Sequence, residues 1–232
     1  MATILVLPLL IALGFWQLDR ADQKRSRYEA LIKRQSEAAV NINRDTTGID
    51  NINEMLGRKL IAKGHFDEKI QILLDNRVMN GRAGYLVFTP FKPVGQDKWF
   101  LVNRGWVGTG NDRNQLPALV KTEGVVSVSG TVVNVPATGI HIGKIIDEQM
   151  EPGIYRLQVI NISHISKLIG VMFMPYIIRL DPDSKYGYVR KWVKPDSGEE
   201  VNLAYAFQWF LLAVTLLLIY IIVNVEKVQD QK

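Results

Sequence analysis

Leu203-Ala204-Tyr205-Ala206-Phe207-Gln208-Trp209-Phe210 opens a run that carries no charged residue before Glu226. At about 1.5 Å per residue, segment 203–225 reaches across a hydrocarbon core of about 30 Å, which predicts a transmembrane helix. A second apolar run, residues 1–18, stands at the other end of the chain and is at the short end for a span. It could instead be the core of a secretory signal, but no basic segment precedes it and no small-residue cleavage pattern follows. The chain continues through Gly14-Phe15-Trp16-Gln17-Leu18-Asp19-Arg20, an aromatic and then charged exit typical of a membrane interface, so it reads as a retained anchor. The missing charge at the front is what a start upstream of Met1 would leave.

Between the two runs lies a polar body of about 180 residues, the size of one ordinary domain. The chain has 47% hydrophobic residues, enough for a core beyond the two helices, and a formal net charge of +5. Many cations crowd beside the first helix, which points to lipid head groups rather than to nucleic acid. The absence of cysteine excludes disulfides, thiol catalysis and Cys-ligated metal centres.

Residues 19–40 have few breakers and read as a helical extension of the first span. Residues 41–57, rich in Asn, Asp, Thr and Gly, read as a loop with one turn of helix. Strands are predicted at Lys59–Phe66, Gln71–Arg77, Gly84–Phe91, Trp99–Val107, Val125–Val133, Tyr155–Val159, Tyr176–Leu180 and Tyr188–Val193. A short helix is predicted at Ile162–Ile169, capped by Asn161 or Ser163. The expected architecture is an α+β membrane protein, with two transmembrane helices flanking an antiparallel β-sheet or partly closed barrel that carries one or two short helices. The soluble, mainly-β domain spans 41–200, and 226–232 form a tail.

Catalytic patterns are sparse. His65, His141 and His164 are not at metal-ligand spacing, and no nucleophile elbow or phosphate loop is present. Asp75-Asn76-Arg77 and Asn103-Arg104-Gly105-Trp106 are polar groups at expected strand ends, read as turn chemistry with an ion pair in preference to a ligand site, and Thr89-Pro90-Phe91 reads as a strand exit. The helix entrances say more. At 100° per residue, Trp16, Gln17, Arg20, Lys24 and Arg27 share one stripe, and Asn202, Tyr205, Ala206 and Trp209 share another, with Gln208 at its edge. Two readings stay open. The residues could form an aromatic belt with snorkelling cations. Alternatively, they could form an interfacial pocket for an amphipathic anion, such as haem with its propionates or an anionic lipid. Gln208 needs a hydrogen-bond partner near a bilayer, and the other helix is one candidate.

In four ordered blocks the chain resembles the Surfeit locus protein 1 family of assembly proteins for haem–copper oxidases. The blocks are Gly14 with Trp16-Gln17, Arg20 and Lys24; Asp75-Asn76-Arg77, Gly84-Tyr85 and Thr89-Pro90-Phe91; Val102 to Val107; and Tyr205-Ala206 with Gln208-Trp209-Phe210. The resemblance implies no enzymatic activity, and a role in inserting or retaining haem a in the large oxidase subunit. It implies a multi-pass protein of a bacterial inner membrane, with both termini cytoplasmic and the central domain periplasmic. Implied partners are the large oxidase subunit, membrane lipid and, as further candidates, haem a synthesis proteins. A structural scaffold or accessory subunit that binds no haem is the alternative. Trp16, Gln17, Arg20, Lys24, Tyr205, Gln208 and Trp209 become candidate contacts for transient haem a or a partner. Arg77, Arg104 and Trp106 become partner or structural residues, and no metal site is expected. Many family members carry a histidine, proposed as a haem ligand, three residues before the closing tyrosine. Here that position is Asn202, and an amide is a poor ligand for haem iron.

Charge does not resolve the orientation. Arg20, Lys24, Arg25, Arg27, Lys33 and Arg34 follow the first helix, against Lys227 and Lys232 in the tail. That would place the central domain inside, but long loops translocate largely regardless of charge.

Overall fold

The computed structural model of the 232-residue chain describes residues 2–110, 115–136, 147–193 and 195–229. Two compact units are present, one made by Met1–Ile32 and Lys194–Lys232 and the other by Lys33–Val193.

The first unit is a pair of antiparallel helices. Helix α1 runs Ala2–Ser36, without a break at Leu18, because Asp19 to Ser36 consists largely of good helix formers. It stops four residues short of the expected extension. Helix α4, the last in the chain, runs Glu199–Gln229. Thr3–Ser36 and Glu199–Val225 are long and apolar enough to cross a membrane by length and composition. Small side chains let the two helices approach. Gly14 and Ala21 are buried on α1, and Ala206 and Ala213 on α4, each pair two turns apart. A Cβ on Gly14 would lie 2.6 Å from the ring of Phe210, so the close approach there requires glycine.

The second unit is a nine-stranded sheet with two short helices. The strands are β1 (Val40–Asn41), β2 (Lys59–Phe66), β3 (Gln71–Met79), β4 (Arg82–Pro93), β5 (Trp99–Gly108), β6 (Val126–Val133), β7 (Asp147–Glu151), β8 (Ile154–Leu157) and β9 (Phe173–Leu180). Their order is β1-β2-β6-β9-β5-β4-β3-β8-β7, and an additional β2–β4 pairing closes β2, β6, β9, β5 and β4 into a ring. The sheet is mixed rather than antiparallel, because β1–β2, β3–β8 and β5–β9 pair in parallel.

Strand β4 is the hinge of this arrangement. Residues 82–88 pair with β3, and Phe91–Pro93 pair with β2. Pro90 falls at the changeover, where no ladder bond needs its missing N–H, and its carbonyl accepts from Asp67 N. Thr89-Pro90-Phe91 is therefore inside a strand and not at its exit. Strict alternation along β2 turns Leu60, Ala62 and Phe66 inward and Lys59, Ile61, Lys63 and His65 outward.

One core lies within the ring, built from Leu60, Phe66, Phe91, Phe100, Val102, Val128, Tyr176 and Ile178. A second packs Ile72, Leu74, Phe88, Leu101 and Ile177 against Ile165 of helix α3 (Ile162–Ile169). Asn161, not Ser163, caps α3 by accepting from His164 N. The one-turn helix α2 is Ile52–Met55.

Tyr188–Val193 forms no strand and is held by a single bridge between Trp106 and Val189. Its Arg190 side chain donates instead to the carbonyl of Pro182, and its Trp192 to that of Leu180. Tyr155–Val159 shrinks to β8, and β7, an exposed and acidic edge strand, was not expected from the sequence.

Candidate functional site

Gln17 and Asn202 face each other across the helical unit. The Asn202 side-chain amide donates to Gln17 Oε1 at 2.6 Å, and its own Oδ1 is buried without a hydrogen-bond partner among the described residues. One turn outward, Lys24 Nζ donates to the Gly198 carbonyl at 3.1 Å, and Arg25 pairs with Glu199 at 2.8 Å. Toward the apolar segments, Phe15 and Phe210 meet edge to face, 5.3 Å apart.

With these contacts fixed, helical geometry places Trp16 and Arg20 on one flank of the pair, and Tyr205 and Trp209 on the same flank. Trp16 and Tyr205 are each 50% exposed, and the Arg20 guanidinium lies 5.6 Å from the Trp16 ring centroid. Trp16, Arg20, Tyr205 and Trp209 thus share one flank, where the contact seen is Arg20 over the Trp16 ring, with Gln17 lining the seam and Lys24 tied to the α4 entrance. Gln208 is not part of this group. It is exposed, points away from α1 and has no hydrogen bond among the described residues, so the expected bond to the other helix is not made. The amide that does cross to α1 is Asn202. The outward aromatic rings, the cations and the apolar surface below them suit an amphipathic anion or a partner helix.

The second group of expected residues lies in the β unit, at a corner of β3, β4 and β5. Asn76 adopts φ 57° at a bulge between Leu74 and Arg77, and its N–H donates to Asp75 Oδ1. The bulge turns the Arg77 carbonyl toward Trp106, whose indole N–H donates to it at 2.7 Å. The indole covers Gly84, where a Cβ would sit 2.4 Å from the ring. Gly105, at φ 116°, gives the backbone its turn at the β4–β5 register shift. The Arg77 Nε is buried with no hydrogen-bond partner among the described residues.

Arg104 is fully buried beneath this corner. Its Nε donates to the Tyr186 carbonyl, Nη1 to Glu68 at 2.8 and 3.1 Å, and Nη2 to the Val120 carbonyl and Thr122 Oγ1. The guanidinium lies 4.6 Å from the Phe66 ring centroid and 5.6 Å from that of Tyr188. Burial raises the Tyr188 phenol above its usual range, while Arg104 pulls it back. Every Arg104 nitrogen has an acceptor, so this side chain ties loops to the barrel and presents no donor outward. Glu68, its partner, sits in the β2–β3 turn, where nothing in the sequence singled it out.

Histidine contributes little here. His65 is exposed on β2, His164 pairs with Asp147 at 2.7 Å, and His141 lies outside the described residues. No cluster of three metal-ligating side chains occurs among the described residues.

The model of the SURF1 family matches residues 4–214, a span that takes in nearly all of α1, the β unit and the first half of α4. The chain belongs to the SURF1 family. It is 25% identical over 220 residues to the SURF1-like protein of Rickettsia conorii, covering 92% of this chain and 86% of that one. It is 34% identical over 104 residues to Surfeit locus protein 1 of Arabidopsis thaliana, and 30% identical over 95 residues to the cytochrome oxidase assembly protein SHY1 of Saccharomyces cerevisiae. Each of those two matches covers 41% of this chain, but only 29% of the plant protein and 24% of the yeast protein. This SURF1-family chain thus matches the full-length bacterial relative along most of its length, and the eukaryotic relatives along a minor part of theirs.

Proposed function

We propose that this chain is a membrane-anchored assembly factor for cytochrome oxidase and carries out no chemistry of its own. The observation that carries the reading is the family match along 4–214, supported by a relative whose name states cytochrome oxidase assembly. In this reading α1 and α4 span a bacterial inner membrane, both ends are cytoplasmic, and the β unit is periplasmic. The large oxidase subunit is the partner, and the exposed Gln208 amide is offered to one of its helices, since an unpaired amide facing lipid favours a polar contact.

Haem a fits the helical unit at its edge and not at its iron. Arg20 and Lys24 would take the propionates, and Trp16, Tyr205 and Trp209 would cover the ring faces. No histidine occurs on α1 or α4, and the Asn202 amide is already bonded to Gln17. An amide is a poor axial ligand for haem iron. Any contact with haem a is therefore peripheral and transient, and the iron ligands belong to the oxidase subunit. The same observation favours, as a second reading, a scaffold that binds no haem.

A reduced-minus-oxidised spectrum of membranes from a strain lacking this chain tests the proposal. Loss of the haem a band with the oxidase subunits still present is expected. Loss of the subunits themselves would favour the scaffold. An unchanged spectrum with normal oxidase activity would overturn both.

A further inference from the structure

Charges on the outer part of α1 are sorted by side. At 100° per residue, Arg20, Lys24 and Arg27 fall within about 60° of one another, while Asp19, Asp22 and Glu29 fall on the opposite side. Arg25, on the flank away from Arg27, is neutralised by Glu199. Arg20 and Arg27 make no ion pair among the described residues, and Lys24 bonds only to a carbonyl. Beside them, Lys24, Arg27, Tyr28 and Leu31 join Pro195, Asp196 and Ser197 around a shallow depression of about 220 Å³. Asp196 forms no ion pair with either cation among the described residues, so the depression keeps an excess of positive charge.

Its height on the helix matters. Measured from Leu18, the last residue of the apolar run, Lys24 and Arg27 stand about 9 and 13 Å further out. Side chains on a helix lean toward its N-terminus, which here is toward the apolar segment. The charged end of Lys24 therefore falls within the headgroup layer, roughly 5–7 Å deep beyond the hydrocarbon, and that of Arg27 reaches back to its outer edge. Leu31 and the ring of Tyr28 line the same hollow.

We propose that this depression binds the headgroup of an anionic phospholipid, with Lys24 and Arg27 on the phosphate and the Tyr28 ring and Ser197 beside it. This rests on the membrane-spanning reading of α1 and α4; it shares Lys24 with the proposed propionate contact, so Arg27, which that contact does not use, is the residue that tests it. A phosphate is favoured over an acidic protein segment because the cations lie at headgroup depth and in a hollow too small for a side-chain array.

The test is native mass spectrometry of the full chain in detergent, titrated with phosphatidylglycerol and with phosphatidylcholine of the same acyl chains. Preferential retention of phosphatidylglycerol is expected. Arg27→Gln should weaken it by roughly fivefold, the usual contribution of one cation near an anionic surface. Arg27→Lys should restore it, and Arg44→Gln, the same charge change in the exposed loop after β1, should leave it intact. Equal retention of both lipids, or equal effects of Arg27→Gln and Arg44→Gln, would overturn the site. Loss of the preference in millimolar inorganic phosphate would mark a free-anion site and overturn the lipid assignment. Alkaline carbonate extraction separates this result from the spanning reading. A chain released by carbonate overturns the spanning reading, whatever the lipid result. A chain that stays in the membrane without lipid preference overturns the lipid site alone.

Discussion

Arg104 shows what a single buried cation does in this fold. Its guanidinium is fully buried, Glu68 is only 13% exposed, and the pair reaches two loops through Tyr186, Val120 and Thr122. Removing one member of such a pair leaves the other charge stranded, at a cost of about 3–5 kcal/mol. Arg104→Met should therefore lower the thermal unfolding temperature of the detergent-solubilised chain sharply. Adding Glu68→Leu should recover part of the loss but not all, because the loop carbonyls stay without donors. A loss under about 1 kcal/mol would show that the pair behaves as a surface contact. The sequence marked Arg104 as half of an ion pair at a strand end; it does pair, but from the interior of β5. Glu68 could not be named as its partner, because the two residues are 36 positions apart and meet only once β2 and β5 join the same barrel.

At the scale of elements, local pattern was a good guide wherever a face is buried along the whole element. The alternation of β2 and the amphipathic run of α3 set both boundaries correctly, because each buries one face continuously. Pattern failed at the edges of the sheet. The acidic β7 has no apolar face to mark it, and the apolar residues of Tyr188–Val193 suggested a strand although only one bridge forms. The helices were legible as apolar segments long enough to span, but their seam was not, because a stripe on each helix leaves the facing residues undetermined. The structure selects Gln17 and Asn202, with Gly14 against Phe210. The chain contains no cysteine, so the seam can be tested on a clean background. Gln17→Cys with Asn202→Cys should cross-link in native membranes under mild oxidation, whereas Gln17→Cys with Gln208→Cys should not. Cross-linking of the second pair and not the first would mean that α4 is rotated from the position seen here.

Charge counting places the central domain of the whole molecule in the cytoplasm, whereas the proposed function places it in the periplasm. Six cations between Arg20 and Arg34 pull the central domain toward the cytoplasm, and only Lys227 and Lys232 oppose them. That count is weak for two physical reasons. Segments as long as the one between α1 and α4 translocate largely regardless of their charge. In addition, Arg34 holds the backbone carbonyl of Leu56 and Arg25 is paired with Glu199, so not all six of the cations are free. A periplasmic β unit, as proposed above, is therefore physically permitted. Asp97, exposed in the turn between β4 and β5, offers a probe, since its side chain makes no hydrogen bond among the described residues. In Asp97→Cys, the only thiol in the chain, a membrane-impermeant maleimide should label intact spheroplasts as fully as lysed ones. Labelling confined to lysed cells would place the β unit in the cytoplasm. Arg20, Lys24 and Arg27 would then lie at the inner leaflet, and the positive-inside count would have been the better guide.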